Sequence, residues 1–134
     1  VSVRTEWHGP RRKAELTAAL HRRLAACAII VASHAKRLVS TAGTGTTKGK
    51  GGKEKRVYGA KPSRPGDPPN KQTGRLRGSI TWEMVGSVAR VGTNLLYGRW
   101  LEHGTARMAA RPWLRRALAE RRARIIAILS RPLD

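Results

Sequence analysis

A chain of 134 residues in which 28 Lys and Arg face 8 Asp and Glu carries a formal charge of +20; it is long enough for one domain with a core and too short for two. A field of that size opposes compaction and favours an acidic partner, whether nucleic acid, an anionic membrane or an acidic protein. One Cys excludes an internal disulfide, no apolar run approaches the roughly 20 residues that span a bilayer, and residues 1–20 lack a signal-peptide core, so the expectation is a soluble protein made in a cytoplasm.

His8-Gly9-Pro10 reads as a helix entry, with Pro in the first turn where its missing N–H costs little. Leu16, Leu20, Leu24, Cys27, Val31, Ala35 and Leu38 then recur every three or four residues as one apolar helical face. Most of the Arg and Lys residues among them lie off that stripe, and His21 and His34 are expected at the surface or its boundary.

Residues 43–72 change character to Gly, Pro, Thr and Lys, an extended basic loop or arm in which only Val57-Tyr58 suits a strand. Lys48, Lys50, Lys53, Lys55 and Arg56 sit on its Gly-rich part, and Pro62, Pro65, Pro68 and Pro69 stiffen the rest. From Ser79 to Val85 apolar and polar residues alternate, placing Ile80, Trp82 and Met84 on one face. Gly86-Ser87 and Val88–Gly92 complete a β-hairpin with Gly as first turn residue. A lone hairpin is marginal, so it is expected to pack on the helices or to pair with a strand around Val57. A short helix from Leu95 to His103 stops at Gly104. Pro112 then opens a last helix to about Ser130, whose apolar positions Leu114, Ala117, Leu118, Ile125, Ile128 and Leu129 are interrupted at Arg121 and Arg122. That interruption is expected to face solvent, a neighbouring subunit or an acidic ligand. The order predicts a single α+β domain over 1–134, with long N- and C-terminal helices packed on a small antiparallel sheet and a long basic Gly/Pro-rich loop.

No chemistry-bearing constellation emerges. Gly49-Lys50 resembles a phosphate-binding loop, but Thr44 stands where the first Gly belongs and Gly51 where Ser or Thr belongs. No paired Cys or His spacing suits a metal. Cys27 falls on the apolar face, and Glu102 is expected to pair with Arg99 or with an Arg of another subunit rather than to act with His103. The chain is therefore read as a non-enzyme with no cofactor. Charge alone supports sequence-independent phosphate contact, without recognition motifs for bases.

The runs PGDPPNKQTGRLRGSI, VGTN, YGRWLEHGT and ARPWLRRAL, in that order, resemble the small head–tail joining proteins of long-tailed bacteriophages, the neck and tail-completion proteins. The motif positions are Thr73, Gly74, Leu76, Ser79 and Ile80, then Tyr97, Leu101, Glu102, Gly104 and Thr105, then Arg111, Pro112, Trp113 and Leu114. The resemblance spans residues 65–118, and the chain departs from the family in the size and basicity of 43–61 and in the Arg content of the last helix. It implies a virion structural protein that forms a homo-oligomeric ring, of neck, tail-completion or tail-terminator type, around the DNA channel between connector and tail tube. The partners so implied are the adjacent connector or stopper and tail-tube or tail-terminator proteins, with packaged double-stranded DNA touched through its backbone and no membrane. The motif residues and Trp100 would then serve the fold or the subunit interface. Lys48, Lys50, Lys53, Lys55, Arg56, Arg115, Arg116, Arg121 and Arg122 would meet DNA phosphates or a neighbouring ring. The competing expectation is a free basic nucleic-acid-binding protein. In either case Tyr97–Ala117 is expected to organise the fold, with Trp100 and Trp113 pinning two helices to the hairpin.

Overall fold

Helix α1 (Gly9–Leu38) begins where His8-Gly9-Pro10 predicts, with His8 as N-cap and Pro in the first turn. Lys36 and Arg37 lie in its last turn, where cations suit the negative end of the helix dipole. The structure is a computed structural model and describes residues 8–41, 46–48, 54–56, 63–71 and 73–133. Within the stretch read as an arm, β1 (Thr46–Lys48) pairs antiparallel with β2 (Glu54–Arg56), Thr47 opposite Lys55. This corrects the expectation that only Val57-Tyr58 suits a strand; β-branched Thr46 and Thr47 favour extended backbone. Val57 and Tyr58 lie outside the described residues, as do Lys50 and Lys53.

A five-residue helix, α2 (Arg75–Ser79), precedes the hairpin of β3 (Thr81–Val85) and β4 (Val88–Gly92). Ser79 therefore ends a helical turn instead of starting a strand. The register pairs Val85 with Val88 around Gly86-Ser87, and Gly86 has φ +58° as a tight turn requires. The two sheets are separate two-stranded ladders, and β3–β4 is supported by α1. On the face of Ile80, Trp82 and Met84, Ile80 is fully buried and Met84 half-buried, but Trp82 remains 39% exposed; Val85 and Val88, on the other face, are exposed too. The alternating face is thus only partly covered. Helices α3 (Leu96–His103) and α4 (Leu114–Leu129) follow, α4 starting two residues beyond Pro112 with Trp113 as N-cap.

The core gathers Val31, Ala32, Ala35 and Val39 of the α1 region, Leu76 and Ile80 around α2, and Trp113 and Ala117 at the start of α4. Arg23 donates to the carbonyls of Arg131 and Pro132, while His34 meets Glu120, so α1 and α4 run antiparallel. Their lengths differ. At 1.5 Å per residue α1 is about 45 Å long and α4 about 24 Å. The first three turns of α1 consequently extend past the end of α4, which leaves Leu16 at 42% and Leu20 at 38% exposure although they lie on the predicted apolar stripe.

The α4 stripe resolves into two faces. Leu114, Ala117 and Ile125 turn inward, whereas Leu118, Ile126 and Leu129 are exposed on a second row that also carries Arg122. Arg121 interrupts the inner row because its guanidinium reaches the buried ring of His34. By length and composition α1 is also apolar enough to cross a bilayer, with a mean hydropathy of 1.3 over its best window. A core helix passes the same test; Arg22 and Arg23 stand near its middle, and its C-terminal half supplies the core.

Candidate interface site around the α3–α4 junction

Glu102 and Trp113 stand eleven positions apart in sequence, and the connection folds back so that α3 caps α4. Glu102, only 6% exposed, accepts the backbone N–H groups of Trp113 at 2.8 Å, Leu114 at 2.9 Å and Arg115 at 3.0 Å. The Arg115 side chain closes the arrangement, donating from Nε to the carboxylate at 3.0 Å and from Nη2 to the Glu102 carbonyl at 2.9 Å. An α-helix leaves its first N–H groups without intrahelical partners, and the dipole there favours an anion. Glu102 supplies both needs from another helix, since Trp113 offers no side-chain acceptor. Burial pushes the Glu102 pKa up, but the three N–H donors and Arg115 outweigh it and hold the carboxyl below its ordinary range. The expected pairing with Arg99 or with another subunit is corrected accordingly.

Two glycines make this fold-back feasible. Gly98 receives the Trp113 indole, whose Nε1 donates to its carbonyl at 3.1 Å; a Cβ there would lie 2.6 Å from Thr93 Cγ2 and 3.0 Å from Leu76 Cδ1. Gly104 ends α3 at φ +75°, where a Cβ would come within 2.9 Å of the Ala110 nitrogen and the Met108 oxygen. Beyond it a Thr105–Met108 bridge and an Arg111 N–H bond to the Leu101 carbonyl at 2.7 Å tie the connection down. Pro112 lies half-buried just ahead of the N-cap Trp113.

The earlier motif joins the same unit. Leu76 is buried, and Gly74 precedes α2 at φ +80°. The Thr73 hydroxyl accepts the Arg75 N–H at 3.4 Å. Ser79 Oγ donates to the Leu76 carbonyl at 2.8 Å and meets Thr93 Oγ1, which in turn accepts the Leu95 N–H at 3.1 Å. Thr93 thereby links α2 to the start of α3. Of the two Trp expected to pin the helices, Trp113 is buried in the core, whereas Trp100 is 48% exposed and lies outside the core cluster. Tyr97 is also exposed, and Leu101 is half-buried against the core.

The basic positions part company. Arg116 is paired with Glu120 at 2.8 Å and with Asp67 at 3.5 Å, Arg115 serves Glu102, and Arg121 serves His34. Arg122 is exposed, with no ion pair among the described residues. Lys48, Lys55 and Arg56 fall on the β1–β2 ladder. His34, expected near the surface, is buried: Arg121 and Arg37 donate to Nδ1 at 3.0 and 3.1 Å, so Nε2–H donates to Glu120. Arg116 first, and His34 after it, hold the Glu120 carboxyl below its ordinary range. The sequence signal for this cluster is the Arg121 break in the inner α4 row.

Chemically the junction is a fold-organising site. Glu102 has its lone pairs directed at α4, and His103 is exposed beyond it, so the adjacent pair is not assembled for proton transfer. Among the described residues no three His, Cys, Asp or Glu side chains gather as a metal site. No protein-family model matches the chain, and neither a curated protein nor a solved structure is significantly similar to it.

Proposed function

We propose that this chain is a ring-forming structural subunit of the head–tail junction in a long-tailed phage virion, lying between connector and tail tube around the DNA channel and acting by assembly. The observation that carries the reading is the apolar surface left uncovered on a chain of charge +20: Leu16 and Leu20 on the α1 overhang, Leu118, Ile126 and Leu129 on the outer row of α4, and Val85 and Val88 at the hairpin tip. Large exposed apolar surface marks interaction sites, and a head-to-tail interface between unlike faces of one subunit closes into a ring when the rotation permits. The four motif runs support it further, because their residues meet in one folded unit around Glu102, Gly98 and Trp113, as folding residues of a structural protein should.

The basic surface has a place in this reading, lining a channel that carries DNA through phosphate contacts. Deleting residues 44–55 and imaging particles tests the arm: unjoined heads or DNA loss is expected, and normally joined, DNA-retaining virions would count against a role for it. The competing reading, a free nucleic-acid-binding protein, predicts a persistent monomer that binds DNA in a salt-sensitive way and assembles with nothing.

A further inference from the structure

Beside α3, where residues 63–77 approach the 108–111 connection, lies a cavity of about 390 Å³, within the size range of ligand pockets. Its lining combines apolar side chains, Val39, Leu76, Leu101 and Met108, with the cations Lys71, Arg75, Arg77 and Arg111. Among the described residues none of these four cations meets a carboxylate. Arg111 reaches only the Met108 sulfur, at 4.0 Å, and its Nε is buried without a hydrogen-bond partner, as is Ser63 Oγ on the same cavity. Leaving buried donors unpaired is costly.

Among the described residues no acid is left over for them. Glu15, Asp67, Glu83, Glu102 and Glu120, the acids whose side chains are described, each already pair with an arginine. Beside the cavity α3 exposes Leu96, Tyr97 and Trp100, so the apolar surface continues past what a small molecule would cover. Aromatic and arginine side chains of this kind anchor protein interfaces.

We propose that this cavity docks an acidic segment of a different protein, one that carries Asp or Glu next to a Leu-sized side chain. The carboxylate sits on Arg75, Arg77 and Arg111, and the apolar side chain fills the space against Leu76, Leu101 and Met108. A phosphate backbone would leave the apolar lining uncovered, and a second copy of this chain has no unpaired acid among its described residues to offer. The site stands on the cavity and its charge balance, so it holds whether or not the chain forms a ring.

Fluorescence anisotropy of the full chain with a labelled Gly-Ser-Leu-Glu-Leu-Asp-Ser-Gly peptide at physiological salt tests it. Binding should weaken at least about tenfold in Arg75→Gln/Arg77→Gln, both exposed positions, and stay within about twofold in Arg122→Gln/Arg124→Gln, which removes the same charge elsewhere. Peptides with Leu replaced by Ser, or with Gln and Asn replacing the acids, should each bind much more weakly, and circular dichroism should show both variants folded. Equal binding of the Leu-free peptide, or equal weakening by both double variants, overturns the proposal in favour of bulk charge. No binding by the wild type overturns it too, as does competition of the peptide with self-association, which would make a second copy the occupant.

Discussion

At Glu102 two effects act on one carboxylate: burial favours the neutral acid, while three backbone N–H groups and the Arg115 guanidinium favour the anion and prevail. Glu102→Ala removes the acceptor for the α4 N-terminus and should cost about 2 to 4 kcal/mol in chemical denaturation. Glu102→Gln keeps the shape without the charge and should cost less. The sign of the pH dependence follows from a depressed pKa. The anion's contribution is complete above the unfolded carboxyl value of about 4.3 and disappears as pH falls through the lower folded value. The stability gap between wild type and Glu102→Gln should therefore shrink below about pH 4, and a gap constant down to pH 2 would count against the anionic cap. At Gly104 a positive φ and a close backbone approach coincide, so Gly104→Ala should destabilise by about 2 kcal/mol or more, read from the same denaturation curves. An Ala variant as stable as the wild type would contradict that account.

The elements legible in the sequence were those fixed by local chemistry. His8-Gly9-Pro10 starts α1, Gly86-Ser87 turns the hairpin, and Gly104 ends α3 where their local signals put them. Non-local determinants left weaker traces. Glu102 looks like half of an acid–base pair because its partners lie eleven to thirteen residues away, and Ser79 looks like a strand start because α2 is a single short turn held through Thr93. The periodic stripe of α1 shows which face is apolar but not how far α4 covers it; that depends on the length of a different helix. Leu16→Gln/Leu20→Gln should consequently change the stability of the isolated chain by within about 0.5 kcal/mol, as surface positions do. The same pair should weaken self-assembly clearly in sedimentation velocity. Loss of folding stability with assembly intact would mean that the overhang is part of the core.

Over the whole molecule the charge of +20 has few internal counterweights, because the described acids are engaged with single arginines or a small cluster around Arg116. Self-repulsion of this kind weakens as salt screens it, over a distance that falls from about 30 Å at 0.01 M to about 3 Å at 1 M. Melting of the isolated chain should therefore shift upward from low to high NaCl, and a downward shift would mean that the attraction within the ion pairs outweighs the repulsion. High salt also suppresses adventitious binding to nucleic acid, so it is the condition in which assembly driven by apolar surface can be read by itself. The measurement that bears most directly on the proposed role is the mass of the full chain by light scattering at high salt, alone and mixed with phage connector or tail proteins. A closed oligomer of defined mass, free or seated on a connector, is the predicted result. A monomer under every one of those conditions, with DNA binding that vanishes as salt rises, would contradict it.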